Sequence, residues 1–98
     1  MLVRIVKMSF DPHHIENFLS IFDANKSKIR NFDGCEYLEL YQDKSRNYIF
    51  FTYSYWISEQ HLENYRHSKL FKTIWSETKI LFNAKPEAWS VNKLITLD

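Results

Sequence analysis

The chain predicts an α+β fold of the ferredoxin-like βαββαβ type, built on a four-stranded antiparallel sheet. Three observations carry that expectation. Four stretches, at 2–10, 35–42, 48–56 and 89–97, are rich in β-branched and aromatic residues. The two segments between the outer pairs carry apolar residues at helical spacing. Between the middle pair lies only Asp43-Lys44-Ser45-Arg46-Asn47, a short polar stretch of hairpin-loop length. The order β-α-β-β-α-β is the split βαβ arrangement.

The first strand contains Val3, Ile5, Val6 and Phe10, with apolar side chains on both alternating faces. Asp11-Pro12 then starts a helix, the carboxylate as cap and the proline at the first helical position. Ile15, Phe18, Leu19 and Phe22 form its inward stripe, joined two turns later by Ile29, and the helix ends near Asn31. Asp33-Gly34 supplies a turn. Gly34 is the sole glycine, which marks a position needing a positive φ.

The second strand is CEYLELYQ (35–42) and the third YIFFTYSYW (48–56). Ser58 caps a helix carrying Leu62 and Tyr65, and Ser68 is a second cap, so the helical stretch breaks around His67. Its continuation places Phe71, Ile74, Thr78 and Leu81 on one side, with Leu70 and Trp75 beside them. Pro86 ends it, and Trp89 to Leu97 reads as the last strand. Strand 3 sets Ile49, Phe51, Tyr53 and Tyr55 on one face, and Tyr48, Phe50 and Trp56 on the other. Helices cover only one face of such a sheet. The other would expose a large apolar patch, and a second copy of the sheet is the simplest cover. A homodimer joined through its sheet faces is expected.

Composition narrows the function classes. Ninety-eight residues make one domain, and 45% hydrophobic content gives it a core. Net charge is +1 with no basic block, so no nucleic-acid footprint is present. No apolar run approaches the roughly 18 residues of a membrane span. The N-terminal MLVRIVKMSF carries Arg4 and Lys7 within its apolar run and reads as a strand, not a signal peptide. The lone Cys35 cannot form an internal disulfide, which fits the reducing cytoplasm. One glycine leaves no Gly-rich phosphate cradle, so no nucleotide cofactor is expected. His13 and His14 are adjacent and point apart on a helix, and no Cys or carboxylate joins them at ligand spacing, so no metal site is expected.

Phe32-Asp33-Gly34-Cys35 before strand 2, Tyr53-Ser54-Tyr55-Trp56 at the end of strand 3, and Tyr65-Arg66-His67-Ser68-Lys69-Leu70-Phe71 resemble the antibiotic biosynthesis monooxygenase (ABM) domain. The resemblance covers nearly the whole chain. It implies a dimeric α/β barrel with a pocket in each subunit between sheet and helices. Enzymes of the family include cofactor-free oxygenases that turn phenolic or quinol-type substrates into quinones, and relatives that degrade haem. In the haem-degrading branch an iron-binding histidine follows the Phe-Lys pair. Here Phe71-Lys72 leads to Trp75, which cannot ligate iron. That branch also uses an Asn on strand 1, and Arg4-Ile5-Val6-Lys7 has no amide. The quinone-forming branch has an Asn four residues before the Trp and a Tyr six after it; Thr52 and Leu62 stand there. Trp56 carries over.

Trp56, which the resemblance supports, and His67, chosen by its chemistry, are the candidate catalytic residues, with Tyr37, Tyr53, Tyr65 and Trp75 as candidate substrate contacts. Trp56 fits two roles, stacking on a flat ring in a pocket or serving as a core indole with a bonded N–H. His67, at the helix break, is the candidate base for deprotonating a phenol. His61 shares a helix face with Tyr65 and fits either a site or a solvated surface. Tyr37, Tyr41, Tyr53 and Tyr55 suit hydrogen bonds to a substrate hydroxyl, or packing at a dimer seam. The expected function is a cofactor-independent monooxygenase acting on a small aromatic metabolite. A non-catalytic barrel that binds a small apolar ligand is the alternative.

Overall fold

A computed structural model describes residues 1–98. Strands β1 (Leu2–Ser9), β2 (Cys35–Gln42), β3 (Ile49–Trp56) and β4 (Glu87–Asn92) form one sheet in the order β2-β3-β1-β4. Every neighbouring pair is antiparallel, as in a ferredoxin-like sheet. Helix α1 (Ile15–Arg30) connects β1 to β2, and α2 (Glu59–Arg66) and α3 (Lys69–Lys79) connect β3 to β4.

Local chemistry explains the helix ends. The Asp11 carboxylate accepts the His13 N–H, and a single 3₁₀ turn, Pro12–His14, leads into α1. Ser58 caps α2 by accepting the His61 N–H, and Ser68 caps α3 by accepting the Phe71 N–H. Two caps ten residues apart split the helical stretch at His67, as the sequence predicts. Gly34 has φ +91°, the left-handed region, and lets β2 start directly after α1.

Two expected boundaries differ. Helix α3 stops at Lys79, well short of Pro86, because the following residues bond elsewhere: Leu81 C=O accepts the Asp11 N–H, and Phe82 bridges Phe10. The last strand is Glu87–Asn92 and not 89–97. The end of β1 sets its far limit, since Leu2 pairs with Asn92 and no edge continues past it, while Pro86, which has no N–H to give, stands just before its start.

Alternation sorts the sheet. Arg4, Val6 and Met8 of β1, and Phe50, Thr52, Ser54 and Trp56 of β3, lie toward the helices. A bulge between Cys35 and Tyr37 brings both Cys35 and Leu38 to that side. The core has two parts. Phe10, Phe18 and Phe50 pack at one end with Met8 and Leu81; the Phe10–Phe18 centroids are 4.2 Å apart. Trp56, Leu62, Tyr65, Cys35 and Ile29 pack at the other. The opposite face holds Tyr37, Tyr41, Tyr53, Tyr55, Trp89 and Val91 and has no helix over it. No helix is long and apolar enough to cross a membrane.

Candidate functional site

A cavity of about 310 Å³ lies between the sheet and the helices, drawing walls from both parts of the core. Its volume sits at the lower end of the roughly 300–1,000 Å³ seen for small-molecule sites. The floor is β1 and β3, contributing Arg4, Val6, Thr52, Ser54 and Trp56. The roof is α1, α2 and α3, contributing Phe22, Leu62, Tyr65, Phe71 and Trp75.

A chain of rings runs along the roof and one end. Trp56 and Tyr65 stack at 5.0 Å, Tyr65 meets Phe71 edge-on at 5.2 Å, and Phe71 and Trp75 stack at 5.8 Å. Trp56 is 1% exposed, and its Nε1–H donates to Ser54 Oγ at 3.0 Å. The indole is a core residue with a satisfied N–H, and its ring forms part of the cavity wall. The Tyr65 hydroxyl makes no hydrogen bond to the protein, and burial raises its pKa far above the usual phenol value. It stays protonated near neutral pH and has a hydrogen bond to give.

The other predicted contacts divide. Trp75 lines the cavity. His67 does not. It caps the end of α2 with a side chain 76% exposed and Nε2 3.3 Å from Glu63 Oε2. The reason is helical rotation: two residues turn the chain by about 200°, so an inward Tyr65 forces His67 outward. Tyr37 and Tyr53 lie on the far side of the sheet, placed there by the β2 bulge and the alternation of β3. Tyr37 packs against Tyr55 with tilted rings 4.8 Å apart, and Tyr41 donates to Glu39. Hydrogen bonds from Tyr37, then Tyr41, hold the Glu39 carboxyl below its ordinary pKa.

His61 belongs to a separate surface array. Its Nδ1 is 2.6 Å from Ser58 Oγ and its Nε2 is 4.0 Å from Asp33 Oδ2. These residue types match a hydrolytic triad, but Ser58 Oγ is engaged as the α2 cap and Asp33 is 91% exposed. The array anchors the α2 terminus against Gly34. Burial pushes the Cys35 thiol pKa up, leaving it an unreactive core group.

Two cavity residues outside the predicted set are Arg4 and Arg66. Arg4 Nη1 donates to Ser90 Oγ at 3.0 Å, and Arg66 pairs with Glu63 at 2.9 Å. Burial pulls the Arg4 pKa below the ordinary arginine value, the nearby Arg66 charge adds to that pull, and Glu63 opposes it. The sequence carried a signal for Arg4: it alternates with Val6 and Met8 on an inward face, where a charge is costly. Arg66 carried none, being one charge among several on a helix.

The model of the antibiotic biosynthesis monooxygenase family matches residues 1–75. No curated protein matches the chain. Among solved structures, an antibiotic biosynthesis monooxygenase superposes with a TM-score of 0.91 at 16% identity, over 97% of this chain and 100% of that one. A conserved protein from Methanosarcina mazei Go1 superposes at 0.89 with 20% identity, over 96% and 94%. A Mycobacterium tuberculosis protein superposes at 0.89 with 16% identity, over 99% and 98%. Identities this low speak to the fold alone. The family model spans three of the four strands, all three helices except the end of α3, and most of the cavity wall. The chain belongs to the antibiotic biosynthesis monooxygenase family.

Proposed function

We propose that the protein is a cofactor-independent monooxygenase acting on a small aromatic, phenolic or quinol-type metabolite in the cytoplasm. The ring-walled cavity carries this reading. Phe71 and Trp75 offer partly exposed rings to a flat substrate, Trp56 backs the wall behind them, and the Tyr65 hydroxyl offers one hydrogen bond to fix its orientation. The reaction balances with oxygen alone. A phenol gives up its O–H proton, and the electron-rich anion passes electrons to O₂. One oxygen atom becomes the new ring C=O, and the other leaves as water with two hydrogens from the substrate. The largely apolar wall limits side reactions of the anion.

The working unit in this reading is a homodimer joined through the open sheet faces. Support comes from Tyr41, Trp89 and Val91, each more than 40% exposed on one continuous face. A ligand-binding protein without chemistry is the second reading, favoured by one observation: no histidine lines the cavity. Oxygen-electrode assays with an anthrone and quinol panel separate them. Oxygen uptake with stoichiometric quinone, reduced at least about tenfold by Trp56→Ala, supports the oxygenase. Thermal stabilisation by the same compounds without oxygen uptake supports the binding protein.

A further inference from the structure

We propose that Arg4 anchors an anionic oxygen of the ligand, so that the cavity takes aromatic acids, a ring system bearing a carboxylate or an ionised phenol, in preference to neutral rings. This deepens the monooxygenase reading and rests on the same cavity.

The argument begins with charge. Arg4 sits on the inward face of β1, between Ser54 of β3 and Ser90 of β4. Its guanidinium has five N–H donors, yet its sole side-chain partner is the neutral Ser90 hydroxyl. Six ion pairs occur in the chain and none includes Arg4. Glu63 acts on Arg4 only from beyond contact distance, and a half-buried cation with no carboxylate in contact carries a cost that is relieved when an anion arrives.

The neighbours strengthen the case. Arg66, the second cation on the cavity, has Glu63 as its partner, and Glu63 also faces His67 at 3.3 Å. Glu87 on the cavity rim faces Lys7 at 3.8 Å. Those carboxylates are therefore shared with other cations, and one positive charge is left over at Arg4. Apart from the hydroxyls of Thr52, Ser54 and Thr78, the rest of the wall is mostly aromatic and aliphatic, so the half-buried guanidinium is screened less than it would be in open water.

The same placement gives the residue a part in the chemistry. With no histidine in the wall, a phenol loses its proton to water most readily when a fixed cation stabilises the phenolate. The guanidinium keeps its charge throughout, and its planar fork matches a carboxylate or phenolate oxygen.

Isothermal titration with two isosteric probes tests this: naphthalene-1-carboxylate and the neutral naphthalene-1-carboxamide. In the native chain the carboxylate should bind at least about tenfold more tightly, and its advantage should shrink as ionic strength rises. In Arg4→Gln, checked for folding by circular dichroism, the advantage should disappear while carboxamide affinity stays within about twofold. Should Arg4→Gln not fold, Arg66→Gln serves: it frees Glu63 to compete for Arg4, so the advantage should shrink, and an unchanged advantage overturns the inference. Equal binding of the two probes to the native chain, an advantage indifferent to salt, or one that persists in Arg4→Gln overturns the anion inference. The cavity reading survives each of those outcomes, because the carboxamide still binds. Failure of both probes to bind overturns the two together.

Discussion

Trp56 and Tyr65 stack with ring centroids 5.0 Å apart and planes 27° from parallel, tying the end of β3 to α2. The pair is both core and cavity wall, and its two members should respond differently to substitution. Trp56→Ala removes a fully buried indole and should cost about 3–5 kcal/mol of unfolding free energy. Tyr65→Phe keeps the ring and removes a hydroxyl with no protein partner, so its cost should stay under about 1 kcal/mol. The same change should weaken ligands bearing a hydroxyl and spare those without one. Urea unfolding and ligand titration of both variants check this; a Tyr65→Phe protein as unstable as Trp56→Ala would show that the phenol is structural.

Gly34 should tolerate no side chain. A Cβ there would overlap the His61 side chain, and φ +91° is strained for any L residue. Gly34→Ala should destabilise by roughly 1–3 kcal/mol, and thermal melting should show it. Adding His61→Ala should recover only part of the loss, since the backbone strain remains.

Acid should weaken the fold through exposed carboxylates as a group. Glu39 is held low by Tyr37 and Tyr41, Asp43 by the backbone N–H groups of Arg46 and Ser45, and Glu63 by Arg66. Depressed folded values mean that their stabilisation is complete above the unfolded carboxylate range, about pH 4. It is lost as pH falls through those values. The urea midpoint should be nearly flat from about pH 7 to about pH 5 and fall below about pH 4. Asp43→Asn should make that fall shallower. A midpoint that rises on acidification would reverse the sign of the argument.

The proposed dimer predicts a sedimenting mass twice that of the 11.9 kDa chain. Tyr53→Lys sets a charge at the centre of the open face and should yield monomers that keep the native circular dichroism spectrum. A native chain that sediments alone at micromolar concentration would remove the sheet-to-sheet partner.

Most of the fold was legible because its signals are local. Ser58, Ser68 and Asp11 are caps, and Phe18, Phe22 and Ile29 recur at helical spacing. The two misplaced boundaries depend on distant partners: α3 ends because Leu81 and Phe82 meet Asp11 and Phe10, and β4 ends where β1 begins. The site was half legible. Trp56, Tyr65 and Trp75 meet at one cavity, whereas His67, Tyr37 and Tyr53 stand elsewhere. Residue type alone nominated those three. Helical rotation and a one-residue bulge, which set the facing, are small geometric events that composition does not encode.

The position of Arg4 across from Ser54 and Ser90 has a bearing on how the chain finds its pairing. Sliding β1 by a single residue would send the guanidinium to the tyrosine side and bring Ile5 under the helices. The core packing of Val6 and Met8 that fixes this alignment therefore also fixes the guanidinium at the cavity, and misaligned molecules would be blind to acids.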